Sequence, residues 1–519
     1  MSRRQLMRSG ALGAGALALG PGFWRDALAA PQARPGGGPY GPLGDPDTNG
    51  LRLPRGFRSR VIARGLLPVT GTAYVWHIFS DGQATYRTED GGFVLVSNCE
   101  APAASGGGAS AIRFDRDGGI RSAYRILGGT DTNCSGGRTP WNTWLSCEET
   151  DRGRVWECDP FGVRPAVVHP AMGVFNHEAA AVDPDDKRVY LTEDEGDGGF
   201  YRFTPDRYPD LSRGLLEVAV VARNGDVTWR RVPDPSAATT PTRKQVPGMT
   251  RFRRGEGIWF DAGVVYVATT SDSKVHAYET VTQTIEVLYD KASGGALKDA
   301  DNLTVSRSGD IFVCEDADNL EICVISRERE ISPFLQLTGT GEQESELTGV
   351  IFDPSGTRLY FSSQRAFGSG AIYEVTGPFR TRRPPDRYPP RMKVDVPDAI
   401  TLSALLARGV PVKVQLDRSV QLELAVHTSR TIRPKRRRGS RRARRLTFAR
   451  RKRPRAARGT TRLRLRPTRR ARRTLRERRI NDLVVAVVAT DANGSGRRRI
   501  VEQFDVKRPR RRRRRRRRS

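Results

Sequence analysis

Carboxylates recur in this chain wherever a short apolar run breaks off. Trp144-Leu145-Ser146-Cys147-Glu148-Glu149 ends in a thiol and two acids, and similar breaks leave Glu100, the trio Glu193, Asp194 and Glu195, Asp272, and the pair Glu315 and Asp316. Further acids open apolar runs: Glu178 after His177, Glu256 in Arg254-Gly255-Glu256-Gly257, Asp301 before Asn302, and Glu346 before Leu347. Like charges brought together cannot all stay ionised without counter-cations, so their convergence on one site would call for metal ions. Carboxylate and amide oxygens favour calcium, whereas a thiolate among them suits a softer transition metal. Cys147 is read as such a ligand because it adjoins two glutamates. His177 fits a structural role as well as ligation. No serine-hydrolase elbow is visible, and Gly106-Gly107-Gly108 precedes a strand rather than a phosphate-binding helix.

Convergence depends on the elements that carry these residues. The apolar runs begin at 94, 144, 189, 265, 311 and 359, in steps of 50, 45, 76, 46 and 48 residues. Apart from one long step, that is the period of a β-propeller blade. Ile351-Phe352-Asp353-Pro354-Ser355-Gly356-Thr357-Arg358-Leu359-Tyr360 reads as two strands joined by a tight turn, and runs such as Gly199 to Phe203 supply a third strand. The expectation is an all-β chain: a six-bladed β-propeller, a small Ig-like β-sandwich and an Arg-rich tail. Radial blades bring equivalent strand ends to one channel mouth, where the scattered acids could meet. Residues 56–65 are expected to close the ring by completing the last blade, and the polar insertion 207–249 to form a surface loop beside the mouth.

Charge divides the chain. Residues 31–380 carry 37 Lys and Arg against 47 Asp and Glu, while 381–519 carry 48 against 10. An acidic body suggests cations rather than a nucleic-acid groove. The basic end, closing on the run Arg508 to Arg518, suits anionic polymers of a cell wall or membrane surface, with no motif for sequence-specific nucleic-acid binding. The expected divisions are a signal peptide at 1–29, a linker at 30–54, the propeller at 55–380, a Pro-rich linker at 381–390, the Ig-like sandwich at 391–507 and the tail at 508–519. The first of these has Arg3-Arg4, a short apolar stretch from Ala11 to Gly20 and small residues at 27–29, the pattern of a twin-arginine signal. Export to a periplasmic, extracellular or cell-surface location is therefore expected, as a monomer. In an exported protein Cys314 with Cys323, and Cys134 with Cys158, are plausible disulfides, with Cys99 open.

Several of these motifs, in their order, resemble the PhoX family of exported alkaline phosphatases: Thr139 to Glu149, Asn176-His177-Glu178-Ala179, Val189 to Asp194, Arg254-Gly255-Glu256-Gly257 and Asp301 to Val305. The resemblance implies a propeller bearing ferric iron and calcium at its channel mouth and hydrolysing phosphate monoesters. It would make Cys147 the iron-bound thiolate, Glu178 and Glu256 cluster ligands, and Arg254 a neighbour of the phosphate. The full expected set is Arg254 and Arg138 as catalytic cations, with Cys147, Glu148, Glu149, Glu178, Glu193, Asp194, Glu256, Asp301 and Glu315 as ligands of Fe3+ and Ca2+. Alternatives are a calcium-dependent propeller lactonase or phosphotriesterase, and a non-catalytic surface binding protein.

Overall fold

The structure, a computed structural model, describes residues 31–316, 319–339, 341–342, 345–384, 389–429, 445–477, 480–491 and 496–508. The expected twin-arginine segment, residues 385–388 of the Pro-rich linker, residues 492–495 and the Arg-rich run beyond 508 lie outside these residues. Chain contacts divide into two units, 1–384 and 385–519.

Six sheets make up the first unit, four of them runs of consecutive strands and two completed by strands from the start of the chain. Their innermost strands are Ser80–Arg87, Asn133–Arg138, His177–Asp183, Gly255–Asp261, Ala300–Val305 and Leu347–Phe352. Each of these strands packs against the innermost strands of the sheets before and after it, so together they form a ring. This is the expected six-bladed propeller. Turn chemistry sets the blade hairpins: the Asp353 carboxylate accepts from the backbone N–H groups of Ser355 at 3.0 Å and of Thr357 and Arg358 at 2.9 Å, while Gly356 takes a positive φ of 74°.

Arg58–Arg64 pairs antiparallel with Ala371–Thr376 and closes the ring, joining the first part of the unit to its last blade. Residues 31–54, expected to be a linker from their Gly and Pro content, instead add strands to the fifth blade: Leu51–Pro54 pairs with Glu330–Leu337, and Arg34–Pro35 runs parallel beside it. Apolar anchors override the local composition, since Ala33 and Leu51 are fully buried. Tyr40 packs its ring against Phe57, Phe312, Phe334 and Phe379 at the seam between blades five and six. Burial of each phenylalanine there is worth about 2–3 kcal/mol.

The long step in the sequence is not merely a loop. It extends the third blade with Asp210–Val221 and Val227–Arg231, and then runs to a short turn at Thr242–Lys244. In the second unit a three-stranded and a five-stranded sheet enclose one apolar core containing Val394, Val412, Leu424, Val485 and Phe504. Two helices that sequence reading did not anticipate, Leu402–Arg408 and Arg469–Glu477, belong to this unit. No described helix is long and apolar enough to cross a membrane.

Candidate metal centre

The same arrangement repeats six times at one mouth of the propeller channel. In every blade the first residue of the innermost strand lies opposite the last residue of the second strand: Ser80 with Cys99, Asn133 with Glu148, His177 with Glu193, Gly255 with Thr269, Ala300 with Glu315 and Leu347 with Ser363. A register shift follows within a few residues each time. Such a bulge bends a strand end and re-aims its side chains. The second residues of the innermost strands are Asp81, Cys134, Glu178, Glu256, Asp301 and Thr348, and the residues just past the second strands are Glu100, Glu149, Asp194, Thr270, Asp316 and Gln364. Alternation along a strand turns these two sets inward and their predecessors outward.

Most of the inward set lines one cavity of about 230 Å3, where eight carboxylates (Asp81, Glu100, Glu149, Asp194, Glu256, Asp301, Asp316 and Glu346) face only Arg254 and Arg365. Three groups of donors lie within 4.8 Å of one another there: Asp81 with Glu100 and Cys134, Cys134 with Glu149 and Glu178, and Glu178 with Glu256 and Asp301. Cys134 and Glu178 therefore link the groups. Glycine permits this crowding, because a Cβ on Gly257 would approach the Asn302 Cα to 2.7 Å and one on Gly82 would approach the Ser135 Cα to 2.5 Å.

Burial and mutual repulsion push these acids upward. Desolvation, reinforced by Glu100, Asp194 and Glu256, raises Glu149 to about 10. Glu346 rises to about 9 through burial and Asp316, and Asp81 to about 7 through burial and Glu100. Glu178, Glu256 and Asp301 are driven well above the carboxylate range, each by burial first and then by neighbouring charge. Some have protein partners: Thr270 Oγ1 donates to Glu256 at 2.7 Å, Asn302 Nδ2 to Asp301 at 2.9 Å, and Gln364 Nε2 to Asp81 at 2.6 Å. Glu178 differs, since it is wholly buried and neither carboxylate oxygen has a hydrogen-bond partner. An ionised carboxylate so placed is untenable without a cation, and this donor set fits one. The residues present thus suit metal ions: hard oxygens throughout, and the Cys134 thiol for a softer one.

Arg254 stands at the rim in a left-handed turn, φ 52°. Its backbone N–H donates to Glu195 O and its carbonyl accepts from Thr270 N–H, tying blades three and four together. Its guanidinium grips Asp194 at 2.9 and 3.0 Å and reaches Glu256 at 3.3 Å and Asp316 at 3.9 Å. Across the mouth Arg365 pairs with Glu346 at 2.8 Å.

Of the expected ligands, Glu149, Glu178, Asp194, Glu256 and Asp301 are brought together here. Four others are not. Glu148 faces into its blade and accepts from the Asp131 and Arg154 N–H groups at 3.2 and 3.1 Å. Glu193 accepts from Gly199 N–H, Tyr201 Oη and Arg243, and Glu315 from the Lys298 N–H at 2.7 Å. Cys147 is buried among Leu145, Val155, Phe175 and Leu191, its thiol pushed upward by burial. The thiol that meets the carboxylates is Cys134, expected instead in a disulfide. All six cysteines are free. Cys323 lies opposite Val313 rather than Cys314, which excludes the other expected bridge because adjacent residues point to opposite faces. Arg138, four residues past Cys134 and so about 13 Å along the strand, lines the other end of the channel and covers the Tyr86 ring at 5.3 Å. It is too far from the acids to act with them. Asp81, Cys134 and Arg365 escaped sequence reading. A signal for the first two existed: positions 81, 134, 178, 256, 301 and 348 repeat with the blade period.

Among solved structures the chain is similar to a gluconolactonase from Xanthomonas campestris (14% identity, 66% of this chain and 99% of that one, TM-score 0.38). It is also similar to a protein of Bacteroides thetaiotaomicron (9%, 62% and 76%, TM-score 0.41) and to a putative 6-phosphogluconolactonase from Bacteroides uniformis (14%, 53% and 76%, TM-score 0.34). No curated protein matches the chain. A family model does: alkaline phosphatase PhoX, over residues 69–160 and 151–286, which span the first four blades and carry Asp81, Cys134, Glu178 and Glu256. Over residues 69–286, less than half of its length, the chain is thus similar to the PhoX alkaline phosphatases, the family its motifs resemble.

Proposed function

We propose that the propeller is a metal-dependent phosphatase of the PhoX type that hydrolyses phosphate monoesters at its acidic mouth after export by the twin-arginine route. The observation that carries this reading is Glu178, whose two buried oxygens lack partners at the junction of the donor groups. Cys134, Glu149 and Glu178 would hold ferric iron, and Glu178, Glu256, Asp301, Asp81 and Glu100 would hold calcium. When bound, such cations supply Lewis acidity toward phosphoryl oxygens and neutralise the phosphate dianion.

The chain's own residues then bind and orient. Arg254, its side chain 40% exposed, can turn from Asp194 toward a phosphate and offer two parallel N–H donors. Arg365 offers the same from the opposite rim, and the pair would bear on the charge that develops on the equatorial oxygens. Two guanidinium groups suit a dianion better than a neutral lactone, which favours phosphoester over lactone hydrolysis. A cavity of about 230 Å3 takes the phosphoryl group and leaves the rest of the ester outside, so selectivity for the leaving group should be weak. The test is Glu256→Gln assayed on p-nitrophenyl phosphate. Turnover should fall about a hundredfold or more, ~2.7 kcal/mol of barrier, with the β-sheet circular dichroism signal intact. Normal turnover in that variant would overturn the reading.

A further inference from the structure

We propose that the second unit binds linear phosphate polymers that carry no bases, along a cationic groove on its three-stranded sheet. This inference does not depend on the reading of the propeller. The groove, of about 690 Å3, is lined by Lys413, Arg451, Arg462 and Arg464, with Asp395 the single acid among its lining residues. Lys413 lies directly opposite Arg462 in the sheet, and Arg464 opposite Pro411. Like charges facing each other across a sheet destabilise it. Asp395, opposite Lys413 on the other neighbouring strand, offsets one of these cations, and the groove keeps a net positive charge that an external anion would relieve.

The exposed end of the neighbouring sheet continues the track. Thr447–Ala456 presents Arg450, Arg451, Lys452, Arg453 and Arg455 at its surface, and the Arg451 guanidinium reaches the Arg464 carbonyl at 3.4 Å. Lys452 is paired with Glu423, but among the described residues no ion pair engages Lys413, Arg451, Arg462 or Arg464. Those heads are available to an anion. Arg462 and Arg464, two residues apart on one strand, repeat at about 6.7 Å, a spacing that suits successive charges of an extended polymer. Guanidinium forks match phosphate oxygens bidentately.

Other polyanions fit less well. Phe448 and Phe504 are buried, so among the described residues of this unit no Phe, Tyr or Trp ring is exposed for bases to stack on. Val501 is its one exposed large apolar side chain among the described residues, so these residues present no apolar patch for a membrane to take up.

The test uses the full mature chain with inorganic polyphosphate as probe, over a salt series. Replacing Lys413, Arg451, Arg462 and Arg464 together by Gln should weaken binding at least tenfold at physiological salt. The slope of log affinity against log salt should fall by about 3, as four lost contacts imply. A second variant ending at Lys507 separates the groove from the arginine tail, and it should retain most of the binding. Tighter capture of duplex DNA or of anionic vesicles than of polyphosphate would overturn the proposal. So would absence of polyphosphate binding, or binding that survives the four substitutions and disappears with the tail.

Discussion

Glu178 and Cys134 sit where the donor groups overlap, and they behave differently from the acids that sequence reading placed beside them. Adjacent pairs such as Glu148 and Glu149 look equivalent in the sequence. Alternation sends one into the blade, where it satisfies loop N–H groups, and the other into the channel. Which of the two faces inward depends on strand register, and a bulge shifts that register by one residue, so the choice was not legible from composition. The thiols follow the same logic. Cys134→Ser should lower bound metal and phosphatase turnover while leaving the metal-free protein almost as stable as before. Cys147→Ser, which puts a hydroxyl into an apolar core, should cost about 1–3 kcal/mol in urea unfolding with metal content unchanged. The reverse pattern would return the ligand role to Cys147.

Among elements, the blade period was legible because turns and apolar runs repeat at near-constant spacing, and the closing strand at 58–64 was legible as an extra run with nothing else to pair with. Residues 31–54 and 207–249 were not, because Gly, Pro and polar residues there outweigh the few apolar anchors that dock them. The insertion matters to the mouth. Arg243 in its last turn pairs with Glu193 at 3.0 Å, Glu195 at 3.1 Å and Asp197 at 3.1 Å, and so fixes the 194–198 loop that bears Asp194 and anchors Arg254. Arg243→Met should therefore reduce kcat/KM about tenfold to a hundredfold with the propeller still folded. Steady-state kinetics beside a thermal melt will show it, and unchanged kinetics would remove the insertion from the site's support.

Taken whole, the molecule joins an acidic propeller to a basic second unit, and the propeller stores electrostatic strain at its mouth. In the metal-free fold Glu149, Glu346 and Asp81 hold protons far above the ordinary carboxylate value, at about 10, 9 and 7. The unfolded chain, ionised above about pH 4, binds fewer protons than the fold, so these groups make metal-free stability decline as pH rises from there toward those values. Cations that take the place of the protons bind more tightly as pH rises. The difference in Tm between metal-loaded and chelator-treated protein should accordingly widen from pH 5 to pH 9. A gap independent of pH would contradict this account of the cluster.

That the ring of inward donors is a metal centre is tested by elemental mass spectrometry of the folded mature protein, with wild type and Glu178→Gln prepared from the same iron- and calcium-replete medium. Iron together with calcium is expected in the wild type, and loss of both in the variant, whose metal-free fold keeps its stability. Neither metal in the wild type, or equal content in the two proteins, would contradict it.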